Sequence, residues 1–154
     1  MKLRQISSAV IFILLFSLAA LAQTTGKKVL PPNISAPNQA AKSSPAYAEI
    51  LLQRTELESQ LEDFLADYTD DFPKVKELRF ELNLIEKETD KLLAVGSADT
   101  NKLTLALGKL IVRKIELETN LWLLKAQYKD DYPEVKRAKR KLDVFEKAVR
   151  EILP

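Results

Sequence analysis

The sequence predicts an all-α protein made of two tandem antiparallel helical hairpins, coiled-coil-like and packed as a four-helix bundle. Three observations support this prediction. Of the 154 residues, only three are glycine and 30% are charged. This composition favours long helices over a loop-rich β fold. From residue 46 onward the sequence repeats itself with a shift of 60 residues. Apolar residues in each copy recur at alternating steps of three and four, the spacing of packed helices.

Residues 1–22 are predicted to be a secretory signal peptide. Lys2 and Arg4 precede an apolar run, and Ala20-Leu21-Ala22 has the small-residue pattern of a cleavage site. The apolar core of about 9 to 13 residues is shorter than the roughly 20 residues that span a bilayer. We expect cleavage after Ala22, no membrane span afterwards, and a periplasmic or secreted protein. The alternative is a leader retained as an anchor.

Cleavage changes the net charge. Two of the 24 basic residues lie in the leader, so 22 basic residues remain against 22 acidic ones. A neutral chain lacks the basic surplus of a nucleic-acid-binding domain, and we expect no nucleic-acid partner.

The elements after the leader follow from composition and periodicity. Residues 23–45 contain four prolines and many small polar residues, which predicts a disordered linker. Helices are expected at 45–69, 73–95, 100–129 and 133–153, giving hairpin repeats at 46–95 and 100–154. Between the repeats, Gly96 is expected to take the left-handed conformation after a helix end. Ser97, Asp99 or Thr100 is expected to cap the next helix.

Each repeat turns at a Tyr-x-Asp-Asp-aromatic-Pro signature. Its residues are Tyr68, Asp70, Asp71, Phe72 and Pro73 in the first repeat, and Tyr128, Asp130, Asp131, Tyr132 and Pro133 in the second. Proline disfavours helix in the residue before it and is tolerated in the first turn of the next helix. Each signature should therefore close one helix and open another.

The side chains of the signature have their own expected roles. We expect the aspartates to cap the following helix, with Asp131 and Glu134 as a capping box. The aromatic rings either plug the hairpin ends or, if they are exposed, form a docking tip for a peptide or glycan.

Several residues depart from the simple seam pattern. Arg54 and Lys114 occupy the same seam position in the two repeats, where a basic residue can cover apolar surface with its stem or set helix register. Trp122 and Phe80 lie off the seams and indicate an interface with another helix or chain. Extra apolar residues on the third helix predict that it packs against more than one neighbour.

The two repeats carry opposite charge. Residues 46–100 hold 6 basic and 14 acidic side chains, and residues 101–154 hold 13 basic and 8 acidic ones. This asymmetry favours docking of the hairpins within one chain, or head to tail between chains. The alternative is that the charges form independent solvated faces.

A basic run stands out in the second repeat. Its residues are Lys136, Arg137, Lys139, Arg140 and Lys141. They could contact an anionic partner such as phosphate, acidic lipid or polysaccharide. The alternative is a solvated face that answers the acidic first repeat.

The sequence gives no indication of catalysis. It contains no histidine or cysteine, no glycine-rich phosphate loop, and no nucleophile with an evident base. Each aspartate pair offers two carboxylates where calcium takes six to eight oxygen ligands. We expect no enzyme activity, no cofactor and no metal site.

The turn signature resembles a hairpin element in the periplasmic coiled-coil region of polysaccharide chain-length determinant (co-polymerase) proteins. The resemblance covers about residues 61–82 and 121–142 and rests on the Tyr, the Asp pair, the aromatic-Pro step and the following Val. The chain lacks the transmembrane helices and kinase domain of that family. The resemblance implies a related helical-hairpin scaffold, accessory to an envelope or export system.

Together these observations predict a non-catalytic scaffold or interaction protein of the cell envelope. Its partner would be another envelope protein or a second copy of the chain, and polysaccharide contact is an alternative without separate support. The alternative is a periplasmic holdase-type chaperone, which should expose a large apolar patch between its helical arms.

Overall fold

The computed structural model describes residues 36–153 and confirms the all-α class. Its helices are α1 (Ala36–Lys42), α2 (Pro45–Asp67), α3 (Pro73–Leu93), a 3₁₀ helix (Ser97–Lys102), α4 (Leu105–Gln127) and α5 (Pro133–Ile152). No strand occurs among these residues. The predicted leader, 1–22, and residues 23–35 of the predicted linker lie outside the described part of the chain.

The end of the predicted linker is helical. Residues 36–42 form α1, and Ala41 is buried against the bundle. The Ser44 hydroxyl donates to the carbonyl of Ala41 at 2.6 Å and accepts from the backbone N–H of Tyr47 at 3.2 Å, which caps α2. The prediction of disorder is therefore wrong for residues 36–44, because buried apolar contact and a helix cap order this segment.

The connection between the hairpins also differs from the prediction. Gly96 has φ −64° and ψ 156°, an extended conformation rather than a left-handed one. A 3₁₀ helix occupies 97–102, so α4 begins at Leu105 instead of residue 100. Its cap is Thr104, whose hydroxyl accepts from the backbone N–H of Leu107 at 3.3 Å. The extra turn lengthens the link and moves the start of α4.

Three of the four long helices share the core. Helices α2, α3 and α4 each pack against the other two, whereas α5 packs chiefly against α4. Fully buried side chains at the centre include Ile50, Leu78, Ile85, Leu107 and Ile115. On α5 only Val135 and Leu142 are buried. In the predicted set of four long helices, α2, α3 and α4 thus form a three-helix core and α5 lies on one side of it.

Helices α2 and α4 run parallel, with their first turns in contact. The backbone N–H of Ala46 donates to the carbonyl of Leu103 at 3.2 Å. A Cβ placed on Gly108 would lie 2.8 Å from Cβ of Glu49 and 3.0 Å from Cα of Ala46. Since α2 and α4 each have 23 residues, both helices end at the same end of the molecule.

Across residues 36–153, no helix combines the length and the apolar character that crossing a membrane requires.

We expect Gly108→Ala to destabilise the fold and Gly96→Ala to leave it unchanged or slightly more stable. At Gly108 an overpacking penalty of about 1–3 kcal/mol opposes a gain in helix propensity of up to about 1 kcal/mol. The expected net loss is about 1 kcal/mol. A Cβ at Gly96 meets nothing within 4 Å. Urea unfolding of both variants measures the difference, and equal midpoints would show that the α2–α4 approach is not close.

Candidate functional site

The two hairpin turns lie at one end of the molecule, and we call residues 68–73 and 128–133 together the tip. Each turn joins a helix whose C-cap is a tyrosine to a helix that begins with a proline. Because α2 and α4 run parallel and have equal length, the repeated signature is displayed twice at the same end. The structure thus places all ten turn residues singled out from the sequence at the same end.

Aromatic rings in the tip stack on one another within each turn. The ring centroids of Tyr68 and Phe72 are 4.0 Å apart. The ring of Phe64, which precedes Tyr68 in the chain, has its centroid 6.0 Å from that of Tyr68. In the second turn, Tyr128 and Tyr132 stack at 4.4 Å with nearly parallel planes. The three tyrosines are exposed, at 40–46% of their surface. The rings therefore close the hairpin ends and also present surface to solvent.

The aspartates of the tip form ion pairs with basic residues on the helix that follows. Asp70 pairs with Arg79, and Asp130 pairs with Lys139 at 3.2 Å, which are equivalent positions in the two repeats. Asp71 pairs with Lys76 at 2.9 Å. The hydrogen bond from Lys76 lowers the pKa of Asp71, and the one from Lys139 lowers the pKa of Asp130.

The predicted capping role of these aspartates is wrong. The N-cap residues are Phe72 and Tyr132, and neither helix start has a side-chain cap hydrogen bond. Glu134 pairs with Arg137 at 2.7 Å instead of completing a capping box with Asp131. Proline at the first helical position already removes one free N–H, and the nearby cations attract the carboxylates away from the helix end.

A second aromatic pair joins the two hairpins. Phe80 of α3 and Trp122 of α4 stack with centroids 4.7 Å apart and planes 13° from parallel. The sequence indicated that both residues mark an interface, and the structure shows that this interface lies between helices of one chain. One edge of Trp122 remains exposed, at 37%.

The basic run lies on the solvent side of α5. Lys136, Arg137, Arg140 and Lys141 are exposed, and Lys139 is half-buried beside Asp130. Within residues 36–153, Lys136, Arg140 and Lys141 form no ion pair. The run thus faces solvent, and Lys139 joins it to the tip through Asp130.

At the opposite end, α3, α4 and α5 enclose a groove of about 650 Å³. At its base the ammonium of Lys114 contacts Glu88 at 2.8 Å, and Lys91 contacts the same carboxylate oxygen at 2.7 Å. Both Lys114 and Glu88 are buried. Burial raises the pKa of Glu88, but the hydrogen bonds from Lys114 and Lys91 outweigh it, so the pKa is lowered overall.

The two seam cations have different environments. Lys114 is buried and fixes the pairing of α4 with α3, as a register residue would. Arg54, its equivalent in α2, is exposed and pairs with Glu58 at 2.7 Å. Glu88 was not singled out from the sequence, although its position three residues after Ile85 places it on the apolar face of α3.

Residues 36–153 contain no group of three or more acidic side chains that could hold a metal ion. Three of the four tip aspartates, Asp70, Asp71 and Asp130, are paired with cations and open to solvent, and the charged residues of the groove form ion pairs with one another. What the tip can do chemically is stack exposed tyrosine rings against a partner and form polar contacts around them.

Comparison with protein-family models, with curated proteins and with solved structures found no match to this chain.

We expect Lys114→Met to destabilise the fold because it leaves Glu88 buried with one cation fewer. Removing one partner of a buried pair typically lowers the free energy of unfolding by roughly 3–5 kcal/mol. The loss here should be somewhat smaller, because Lys91 still pairs with Glu88. The double variant Lys114→Met/Glu88→Met removes both charges and should recover most of that stability.

The same pair predicts a pH dependence. The folded-state pKa of Glu88 is lowered, so its stabilisation is complete above the ordinary carboxyl pKa and is lost as the pH falls through the folded value. Unfolding in urea at neutral and acidic pH should show this acid loss in the native protein. The double variant should show a smaller loss, and an unchanged acid loss would assign the effect to other carboxylates.

Proposed function

We propose that this chain is a non-catalytic helical scaffold of the cell envelope that binds its partner through the tip. The observation that carries the proposal is the display of two copies of one aromatic-acidic signature at the same end of the molecule. Three exposed tyrosines there have ring faces or edges available to a partner. Tyrosine is favoured at protein interfaces because it combines apolar area with a polar group.

Contacts within the tip hold its side chains in place. The rings stack in pairs, and two aspartates of the turns are held by Arg79 and Lys139 at equivalent positions. Side chains already fixed before binding lose less conformational entropy when a partner docks. A repeated and ordered surface of this kind supports a binding role.

The envelope assignment rests on the leader and on the turn signature. A charged start, an apolar run and the small residues before Gln23 support export. The resemblance of both turns to polysaccharide chain-length determinant proteins supports an accessory role in polysaccharide or other export. The partner class that we propose is another envelope protein.

The chaperone alternative requires a large apolar surface between the helical arms. Where α3 and α5 diverge, charged and apolar side chains line the groove in similar numbers. This mixed lining favours the scaffold over the holdase.

The tip is tested by photo-crosslinking. A photoreactive amino acid at Tyr132 should capture a defined envelope protein in the cell, whereas the same group at Lys87, an exposed position on α3, should not. Tyr68→Ser combined with Tyr128→Ser should abolish capture from position 132 without loss of helical circular dichroism. Equal capture from positions 87 and 132 would contradict the proposal.

Export is tested separately. Expression of the whole chain in a bacterium should give a periplasmic product whose N-terminal residue is Gln23, as mass spectrometry would show. A cytoplasmic product that retains the leader would overturn the envelope assignment but not the tip as a binding surface.

A further inference from the structure

The internal repeat relates surfaces that are buried in one place and exposed in another. Within the chain, α3 of the first hairpin packs on α4 of the second. A shift of 60 residues turns α3 into α5 and α4 into α2. The outer face of α5 and the outer face of α2 are thus the repeat equivalents of an interface that the chain already forms.

The equivalent positions differ sharply in exposure. Leu84 on α3 is 6% exposed, and its equivalent on α5, Val144, is 62% exposed. Ile111 on α4 is 2% exposed, and its equivalent on α2, Leu51, is 45% exposed. Aliphatic side chains thus remain uncovered on α5 and α2 at positions that the chain covers in its own α3–α4 interface.

Charge is matched at the same positions. Phe80 stacks on Trp122 in the α3–α4 interface, and the equivalent pair is Arg140 with Glu62. Glu81 lies near enough to Glu116 for repulsion to add to burial in raising its pKa.

The equivalent of this unfavourable pair is Lys141 with Glu56. An aromatic contact and a like-charge contact within the chain thus become two pairs of opposite charge.

Across the described part of the chain, these charges have no ion-pair partner. Within residues 36–153, none of Glu56, Glu62, Arg140 and Lys141 takes part in an ion pair. The pair of Glu88 with Lys114 alone joins the two hairpins there. Apart from that one pair, the acidic first hairpin (46–95) and the basic second hairpin (100–154) form no ion pairs with each other among these residues.

We infer that a second copy of this chain docks its α2 face on the α5 face of the first, in the geometry by which α4 docks on α3. Arg140 and Lys141 of one copy then face Glu62 and Glu56 of the next, around a centre that includes Val144 and Leu51. The inference deepens the proposed scaffold function, and rests on it, by naming the self-association surface.

This contact joins two different faces and leaves one of each free. Such a heterologous contact either closes into a ring or continues as an open array. The contact between copies uses the α5 face and not the α4 face. Gly108 of α4 permits the close approach of α2 within the chain, but its repeat equivalent on α2 is Ala48. The close approach that glycine permits between α2 and α4 cannot be repeated between copies.

Charge reversal tests the inference on the whole chain. Light scattering at low ionic strength should show multiples of the single-chain mass of 17.4 kDa. About 1 M salt, with a Debye length of about 3 Å, should shift the protein toward that single mass. Glu56→Lys/Glu62→Lys and Arg140→Glu/Lys141→Glu should each be monomeric alone. Mixing the two variants should restore association, because each then supplies the charge that the other lacks.

The controls reverse as many charges on other faces. Glu86→Lys/Asp90→Lys and Lys87→Glu/Lys109→Glu change exposed positions and should leave the mass unchanged. A native protein that stays monomeric at low salt, or variants that dissociate without recovery on mixing, would overturn the inference. Circular dichroism of every variant separates loss of docking from loss of folding.

A crosslinking experiment fixes the pairing of faces. The chain contains no cysteine, so Glu62→Cys and Arg140→Cys each introduce a single thiol. A short bismaleimide should link the two variants when they are mixed, and should link neither to itself. Self-linked Glu62→Cys would overturn the α2–α5 pairing. The tip crosslinking described above remains informative in either case, so failure of self-association and failure of the tip proposal are distinguishable.

Discussion

The close approach of α2 and α4 at their first turns governs the rest of the structure. Gly108 allows the backbone of α4 to lie against Ala46 and Glu49, and the backbone hydrogen bond from Ala46 to Leu103 holds the two helix starts together. With the starts joined, two helices of equal length must end side by side. The placement of both turns at one end, and hence the tip itself, follows from a contact at the other end of the molecule.

Electrostatics performs two distinct tasks in this fold. At the tip, solvent-exposed aspartates pair with cations on the next helix, where each pair contributes little free energy but restricts the turn. In the core, Glu88 and Lys114 pair away from solvent, where the loss of one partner is costly but the pair itself adds little over apolar residues. The buried pair therefore joins α3 to α4 in the core, whereas Arg54, the equivalent seam residue of the first repeat, pairs with Glu58 at the surface.

The helices and turns were largely predictable because their signals are local. Proline, the residue before it and the three-and-four spacing of apolar residues place α2, α3 and α5 to within two residues of their observed ends. The start of α4 was not predictable to this accuracy, since Thr104 and Ser97 are both competent caps and tertiary contact selects between them. The order in residues 36–44 depends on burial of Ala41, a contact with distant residues that composition does not reveal.

The candidate site was predictable in part. The sequence identified the turn residues and their two alternative roles, and the structure shows rings that both stack and remain exposed. The ion pairs of Asp70 and Asp130 were missed because their partners lie nine residues ahead, beyond the range of capping rules. Glu88 was missed because a charged residue on an apolar face is recognised only when its partner is known.

Because α5 packs on one side only, it should unfold locally more readily than the other long helices. A helix that buries only two side chains and packs chiefly against one neighbour has a smaller opening free energy than three helices that cover one another. Backbone amides of α5 should thus exchange with solvent ahead of those in α2, α3 and α4. Among the long helices, α5 should therefore be the least protected, and it gains protection whenever something covers its outer side.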